Sequence, residues 1–130
     1  QRRGGIVTVI NRNKERALEL ASLLNCRGEG LDHMKSCARS GYDILINCTP
    51  VSMPIDPEDI LPNSIVMDIT TKPMETEFLK KAKEKECFIV YGYRMFVEQA
   101  LRQFEYWFNN NFSNKSHLDN IVSSILIMDK

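Results

Sequence analysis

Four polar clusters stand directly behind apolar runs in this chain: Asn11-Arg12-Asn13, Asn47-Cys48-Thr49, Asp68 to Lys72, and Tyr91-Gly92-Tyr93. The first carries the plainest chemistry. A guanidinium pairs bidentately with a phosphate and stacks on a flat ring, which an ammonium cannot do. Arg16 follows Arg12 by one helical turn, so both can face one anion at a helix N-terminus, where free backbone N–H groups add to the attraction. A single exposed arginine more often belongs to a solvated basic patch. The helix start tips the balance toward anion binding here.

The elements that must position these clusters alternate along the chain. Ile6 to Ile10 reads as a strand, apolar on both faces and suited to burial between helix layers. Lys14 to Leu24 reads as a helix with Ala17, Leu18, Leu20, Ala21 and Leu24 on its apolar stripe. A short second strand fits Cys26 to Gly30, and a polar helix runs from about Leu31 to Arg39. Tyr42 to Thr49 is the clearest strand. Pro50, Pro54, Pro57 and Pro62 mark a loop with at most one helical turn. Ser64 to Ile69 is a further buried strand, Glu75 to Lys85 an amphipathic helix, Cys87 to Val90 a short strand and Gly92 a turn. Met95 to Phe108 is a long aromatic helix, and Leu118 to Met128 a final striped one. This alternation predicts an α/β domain around a parallel sheet.

At 130 residues, the chain suits one domain with a real core; 43% apolar and 26% charged residues are an ordinary globular mixture. The 17 basic residues match the 17 acidic ones, which argues against a general nucleic-acid or membrane-surface binder. Cys26, Cys37, Cys48 and Cys87 are scattered, without the paired spacing of a zinc or redox site. Reduced, mostly buried thiols in a cytoplasmic protein are expected. His33 and His117 fall in polar segments, away from the polar clusters at the strand ends, and read as surface residues.

Doubly wound sheets bind ligands at the carboxyl ends of their strands, where all four clusters are expected to converge. Such folds place an acid after the second strand to accept from the ribose of NAD. Asn11 and Arg12 stand there instead, which favours the 2′-phosphate of NADP. No G-x-G-x-x-G turn occurs in the chain. Gln1 to Gly5 resembles the tail of a helix with a glycine stop, so the expectation is a Rossmann-like three-layer domain whose first βα unit lies upstream.

The clusters, taken in order, resemble the motifs of the shikimate dehydrogenases. Asn11-Arg12-Asn13-Lys14-Glu15-Arg16-Ala17 is similar to N-R-T-x-x-K/R-A, with Asn13 in place of threonine. Asn47 to Met53 resembles N-A-T-S-x-G-M and departs from it at Pro50 and Ser52. Asp68 to Thr76 resembles D-x-x-Y-x-P-x-x-T, with Thr71 where the family has tyrosine. Gly92 to Ala100 resembles G-x-x-M-L/F-V-x-Q-A and is the most specific of the four. Its style is similar to versions in fused dehydroquinate dehydratase–shikimate dehydrogenase chains.

The resemblance implies NADP as cofactor and shikimate or 3-dehydroshikimate as substrate, in aromatic amino-acid biosynthesis. By it, Asn11, Arg12, Asn13 and Arg16 hold the adenosine phosphate. Cys48 and Thr49 contact the cofactor, Ile69, Gly92 and Met95 lie by the nicotinamide, and Thr71 and Gln99 meet the substrate. The proton-transfer lysine and aspartate of the family match no residue here. The chain alone is therefore expected to be inactive and to bind NADP weakly at best, with residues 1–108 as the incomplete cofactor domain and 109–130 as linker and helix.

Plainer duties compete for the same residues. Met95, Phe96, Phe104 and Trp107 lie at helical spacing and read first as core. Asp68 reads as ordering the loop after its strand, and Thr76 as supporting the next helix start. Quinate dehydrogenase and glutamyl-tRNA reductase are the neighbouring enzyme readings; a non-catalytic NADP-binding module is the reading from another class. Partners are expected to be the rest of the same polypeptide and, through unpaired strand edges, a second copy of the chain.

Overall fold

The computed structural model describes residues 4–109 together with 118, 120–122, 124 and 125. The chain divides into two compact units, residues 1–42 and 43–130.

In the N-terminal unit, β1 (Thr8–Asn11) leads through α1 (Lys14–Leu24) to β2 (Arg27–Gly30). A 3-10 turn over Leu31–His33 then runs into α2 (Met34–Ser40). β1 and β2 are parallel, with Thr8 opposite Arg27 and Asn11 opposite Gly30. Helix α1 starts where Asn13 caps it, and it stops at Asn25, whose left-handed backbone (φ 51°) turns its N–H back to Ala21 and Ser22.

The packed face of α1 is narrower than its leucine stripe suggests. Only Ala17 and Ala21 are buried; Leu18, Leu20 and Leu24 are about half exposed. The cause is Gly28 on β2. A Cβ there would lie 2.6 Å from the Ala17 carbonyl oxygen and 2.9 Å from the Ala21 Cβ. Helix and strand approach so closely that alanine and glycine fill the seam, and the leucines are turned aside. Ile6 and Val7 are likewise exposed, against the expectation of a strand buried on both faces. Within this unit β1 is paired on one edge only.

In the C-terminal unit, β3 (Ile44–Asn47), β4 (Ile65–Asp68) and β5 (Phe88–Val90) form a parallel sheet in that order, with Ile44, Ile65 and Phe88 in register. A 3-10 turn at Pro57–Asp59 interrupts the proline-rich loop. Helix α3 (Glu77–Glu84) returns from β4 to β5, and α4 (Gly92–Phe108) follows β5. Val66, Ile60, Phe78, Leu79 and Ala82 make the core, with Leu45 and Ile89 packed against it. Burying a side chain the size of Phe78 or Leu79 contributes roughly 1.5–3 kcal/mol. The alternate positions Ile44, Ile46 and Phe88 face outward and are at least half exposed.

Helix α4 departs from expectation in two ways. It begins at Gly92, not Met95. Its buried face is Tyr93, Val97 and Leu101, with Met74, Leu118 and Val122 against it, whereas Met95, Phe96 and Trp107 are exposed and Phe104 is half-buried. The helix starts in close contact with the loop after β4: a Cβ at Gly92 would fall 2.5 Å from the Ile69 and Thr70 carbonyl oxygens. Of the expected terminal helix, the described residues between 118 and 125 are helical. His117, residues 1–3 and residues 126–130 lie outside the described set.

Candidate functional site

The N-terminal unit builds its strand end from local contacts. The Asn11 Oδ1 accepts from the Asn13 N–H at 3.1 Å, and the Asn13 Oδ1 accepts from the Arg16 N–H at 3.2 Å. Both amide oxygens are thereby used in shaping the turn into α1. Arg12 and Arg16 are exposed, and neither guanidinium has a hydrogen bond or ion pair among the described residues. On β2, Glu29 takes Lys14 at 3.4 Å and Arg27 at 3.1 Å. The Arg27 hydrogen bond, aided by the charges of His33 and Lys14, holds the Glu29 carboxyl below the usual carboxylate range despite some desolvation. His33 follows directly on the β2 end and meets an Arg27 guanidinium nitrogen at 3.1 Å, so it is not remote from a strand end as expected. Two uncompensated guanidinium groups beside a capped helix N-terminus fit a phosphate dianion.

The C-terminal unit builds its strand ends from buried contacts. Asn47 closes β3 and Asp68 closes β4 in the same register, and Asp68 is fully buried. The Asn47 Nδ2 donates to the Asp68 Oδ2 at 3.1 Å and to the Val51 carbonyl at 3.0 Å. The Asn47 Oδ1 accepts from the Thr49 N–H at 3.0 Å and its hydroxyl at 2.8 Å. The Thr76 hydroxyl donates to the Asp68 Oδ2 at 2.9 Å while capping α3. The Thr70 N–H donates to the Asp68 Oδ1 at 2.9 Å. Asp68 and Thr76 thus hold the loop and the helix start, as their positions suggested.

Around this lock stand the residues with expected ligand contacts. Cys48 and Thr49 are exposed on the loop after β3; Ile69 and Thr71 are half-buried after β4. Gly92 is buried after β5, and Met95 and Gln99 are exposed, one turn apart, on α4. A pocket of about 290 Å³ opens between the two loops, with Pro50, Ser52, Thr70, Lys72 and Lys80 in its wall. Its carboxylates are paired: Glu77 with Lys80 at 2.6 Å, and Glu75 with Lys83. Glu75, and then Tyr91, push the Lys83 ammonium to a raised pKa. The four cysteines are free; Cys48 is exposed and the others half-buried, less covered than composition suggested.

The clusters at Asn47, Asp68 and Tyr91 therefore meet on neighbouring strands of one sheet. Asn11, Arg12, Asn13 and Arg16 belong to the other unit. Asn47 itself is a residue that motif reading undervalued. Its signal was available: an amide ending an apolar run, with an acid ending the next one.

Comparison with known proteins fits this arrangement. The family described as "Shikimate 5′-dehydrogenase C-terminal domain" matches residues 92–111, a stretch that opens on Gly92 and contains Gln99. A shikimate dehydrogenase (NADP(+)) from Nitrosopumilus maritimus is 37% identical over 111 residues, covering 78% of this chain and 40% of that protein. Shikimate 5-dehydrogenase from Thermus thermophilus, solved with NADP(H) and shikimate, superposes with a TM-score of 0.81 at 25% identity, over 95% of this chain and 47% of that one. Quinate dehydrogenase from Corynebacterium glutamicum, solved with NAD, gives a TM-score of 0.69 at 27% identity, over 77% and 40%. The chain spans less than half the length of each of these relatives.

Proposed function

We propose that this chain, which belongs to the shikimate dehydrogenase family, is the cofactor-facing portion of an NADP-dependent enzyme that interconverts 3-dehydroshikimate and shikimate. The observation that carries the reading is the pair of guanidinium groups, of Arg12 and Arg16, at the start of α1 that have no partner among the described residues. A 2′-phosphate beside them completes their charge, and Asn13 keeps its NH₂ group as a further donor.

The other roles follow from position. Cys48 and Thr49, on the loop after β3, take the cofactor's middle. Ile69, Gly92 and Met95 border the nicotinamide, while Thr71 and Gln99 reach the substrate. When bound, NADPH supplies a hydride. The residues of this chain orient it and exclude water from the strand ends. Proton transfer belongs to a lysine and an aspartate contributed by the rest of the enzyme, because no lysine here takes that place in the family's motifs. Residues 1–108 form the cofactor portion and 109–130 a linker and helix. A cytoplasmic setting suits its free thiols.

Thr71 in place of tyrosine, with the likeness to quinate dehydrogenase, favours a second polyol reading in which quinate is the substrate. Turnover of shikimate against quinate by the enzyme containing this chain separates the two.

The cofactor reading is tested by calorimetric titration of 2′,5′-ADP into the chain. Wild type is expected to bind it in preference to 5′-AMP, and Arg12→Ala to weaken it by about tenfold, the scale of a lost bidentate charge pair. Unfolding stability should move by less than ~0.5 kcal/mol, as for an exposed unpaired side chain. Equal binding of the two nucleotides refutes NADP selection. The chain by itself is expected to turn over neither shikimate nor quinate.

A further inference from the structure

The Ile69–Thr70 backbone is held from two sides. On one side the Thr70 N–H is bound to the Asp68 Oδ1 at 2.9 Å. On the other, Gly92 lies so close that a Cβ there would fall 2.5 Å from the Ile69 carbonyl carbon and oxygen. The second carboxyl oxygen of Asp68 ties this point to the loop after β3, through Asn47 at 3.1 Å, and to α3, through Thr76 at 2.9 Å. Asn47 and Asp68 are at most 3% exposed and neither is presented to a ligand; Thr76, equally buried, reaches only the wall of the pocket between the loops. Whatever they do for binding, they do through the loops they hold.

We infer that Asp68 is a positioning residue whose carboxylate joins the loops after β3 and β4 and thereby sets where Thr49 stands for the middle of the cofactor, Ile69 for its nicotinamide and Thr71 for the substrate. The inference rests on the cofactor reading above and adds to it a fixed internal frame. Asn47 transmits the restraint, because one oxygen holds both the N–H and the hydroxyl of Thr49. Thr76 transmits it to α3, because its hydroxyl serves the carboxylate and the Leu79 N–H together.

Hydrogen-bond polarity makes the idea testable. Asp68→Asn preserves shape but turns an acceptor into an NH₂ group. With the Thr70 bond kept, that NH₂ meets the NH₂ of Asn47, two donors in a buried site. Adding Asn47→Asp restores a donor–acceptor pair between the two positions, although the Val51 carbonyl loses its donor. Recovery in the double variant is therefore partial.

The experiment measures NADPH by nicotinamide fluorescence and 2′,5′-ADP by calorimetry on the whole chain, with thermal unfolding alongside. Asp68→Asn is expected to weaken NADPH by about tenfold, the scale of a broken charged hydrogen bond, and 2′,5′-ADP by less than about twofold. The double variant should recover about half of that loss on a logarithmic scale. If Asp68→Asn does not fold, Thr76→Val, which removes one donor to the carboxylate, should give the same split at smaller size. Parallel weakening of both ligands, or a double variant no better than the single, overturns the inference. Failure of wild type to bind 2′,5′-ADP defeats the cofactor reading first and the inference with it.

Discussion

The two units end their strands in opposite ways. At the β1 end the hydrogen bonds that shape the turn are local, between residues two or three apart, and among the described residues the Arg12 and Arg16 side chains are exposed and unpaired. At the β3 and β4 ends the contacts span 21 residues from Asn47 to Asp68 and 8 from Asp68 to Thr76, and the groups are buried. An exposed cation costs little to keep, and it is available to a ligand's charge. A buried carboxylate must be fully hydrogen-bonded, and once it is, it fixes geometry. One end is therefore built to attract and the other to align. The cores differ in the same sense: the N-terminal unit buries Ala17, Ala21 and Met34, while the C-terminal unit buries Phe78, Leu79, Ile60 and Val66.

The largest expected effect tests that difference in cores. Phe78→Ala should cost about 3–5 kcal/mol in urea unfolding, as for other buried aromatics. Leu23→Ala, at a position 84% exposed, should change stability by less than ~0.5 kcal/mol. Similar costs at the two sites would erase the contrast.

A smaller effect sharpens it. Gly28→Ala must displace the Ala17 backbone, since the added Cβ would stand 2.6 Å from its carbonyl oxygen. A cost of roughly 1–3 kcal/mol is expected from such overpacking. Amide exchange should report it in α1 and β2 before α3. Uniform loss of protection across both units would mean that they unfold together.

The smallest effect is a pH dependence. Glu29 is lowered in the folded chain from an ordinary value of 4.5, chiefly by its hydrogen bond from Arg27, with His33 and Lys14 also facing it. A lowered carboxyl stabilises the fold above its unfolded pKa and loses that contribution as pH falls through the folded one. Melting temperature should therefore decline below pH 4.5 somewhat less steeply in Glu29→Gln than in wild type. Identical slopes would show that the Glu29 cluster contributes nothing to the N-terminal unit.

Much of this was legible in order and spacing. Periodicity located α1 at Lys14–Leu24, as observed, and β2 in a weak stretch near Gly28. Polar residues after apolar runs located the strand ends. Sidedness was harder to read. The leucines of α1 and the aromatics of α4 lie at helical spacing, yet neither set forms the core. In α1 a glycine on β2 decided the matter: Gly28 lets Ala17 and Ala21 come so close that they take the seam. A period says which residues share a face, and close backbone approach selects the face that is buried.

By itself, then, the sequence determined the alternation of parallel strands with helices, the unacidic β1 end with its two arginines, and the family to which the motifs point. Those are properties of residue type and local spacing, and they survive any packing. Only the tertiary structure decided that Asn47, Asp68 and Thr76 share one buried lock and that the Arg12 and Arg16 side chains are left without partners among the described residues. Both outcomes depend on which distant groups come within hydrogen-bonding reach, and that distance is set by the register of β3 on β4 and by the seating of the helices.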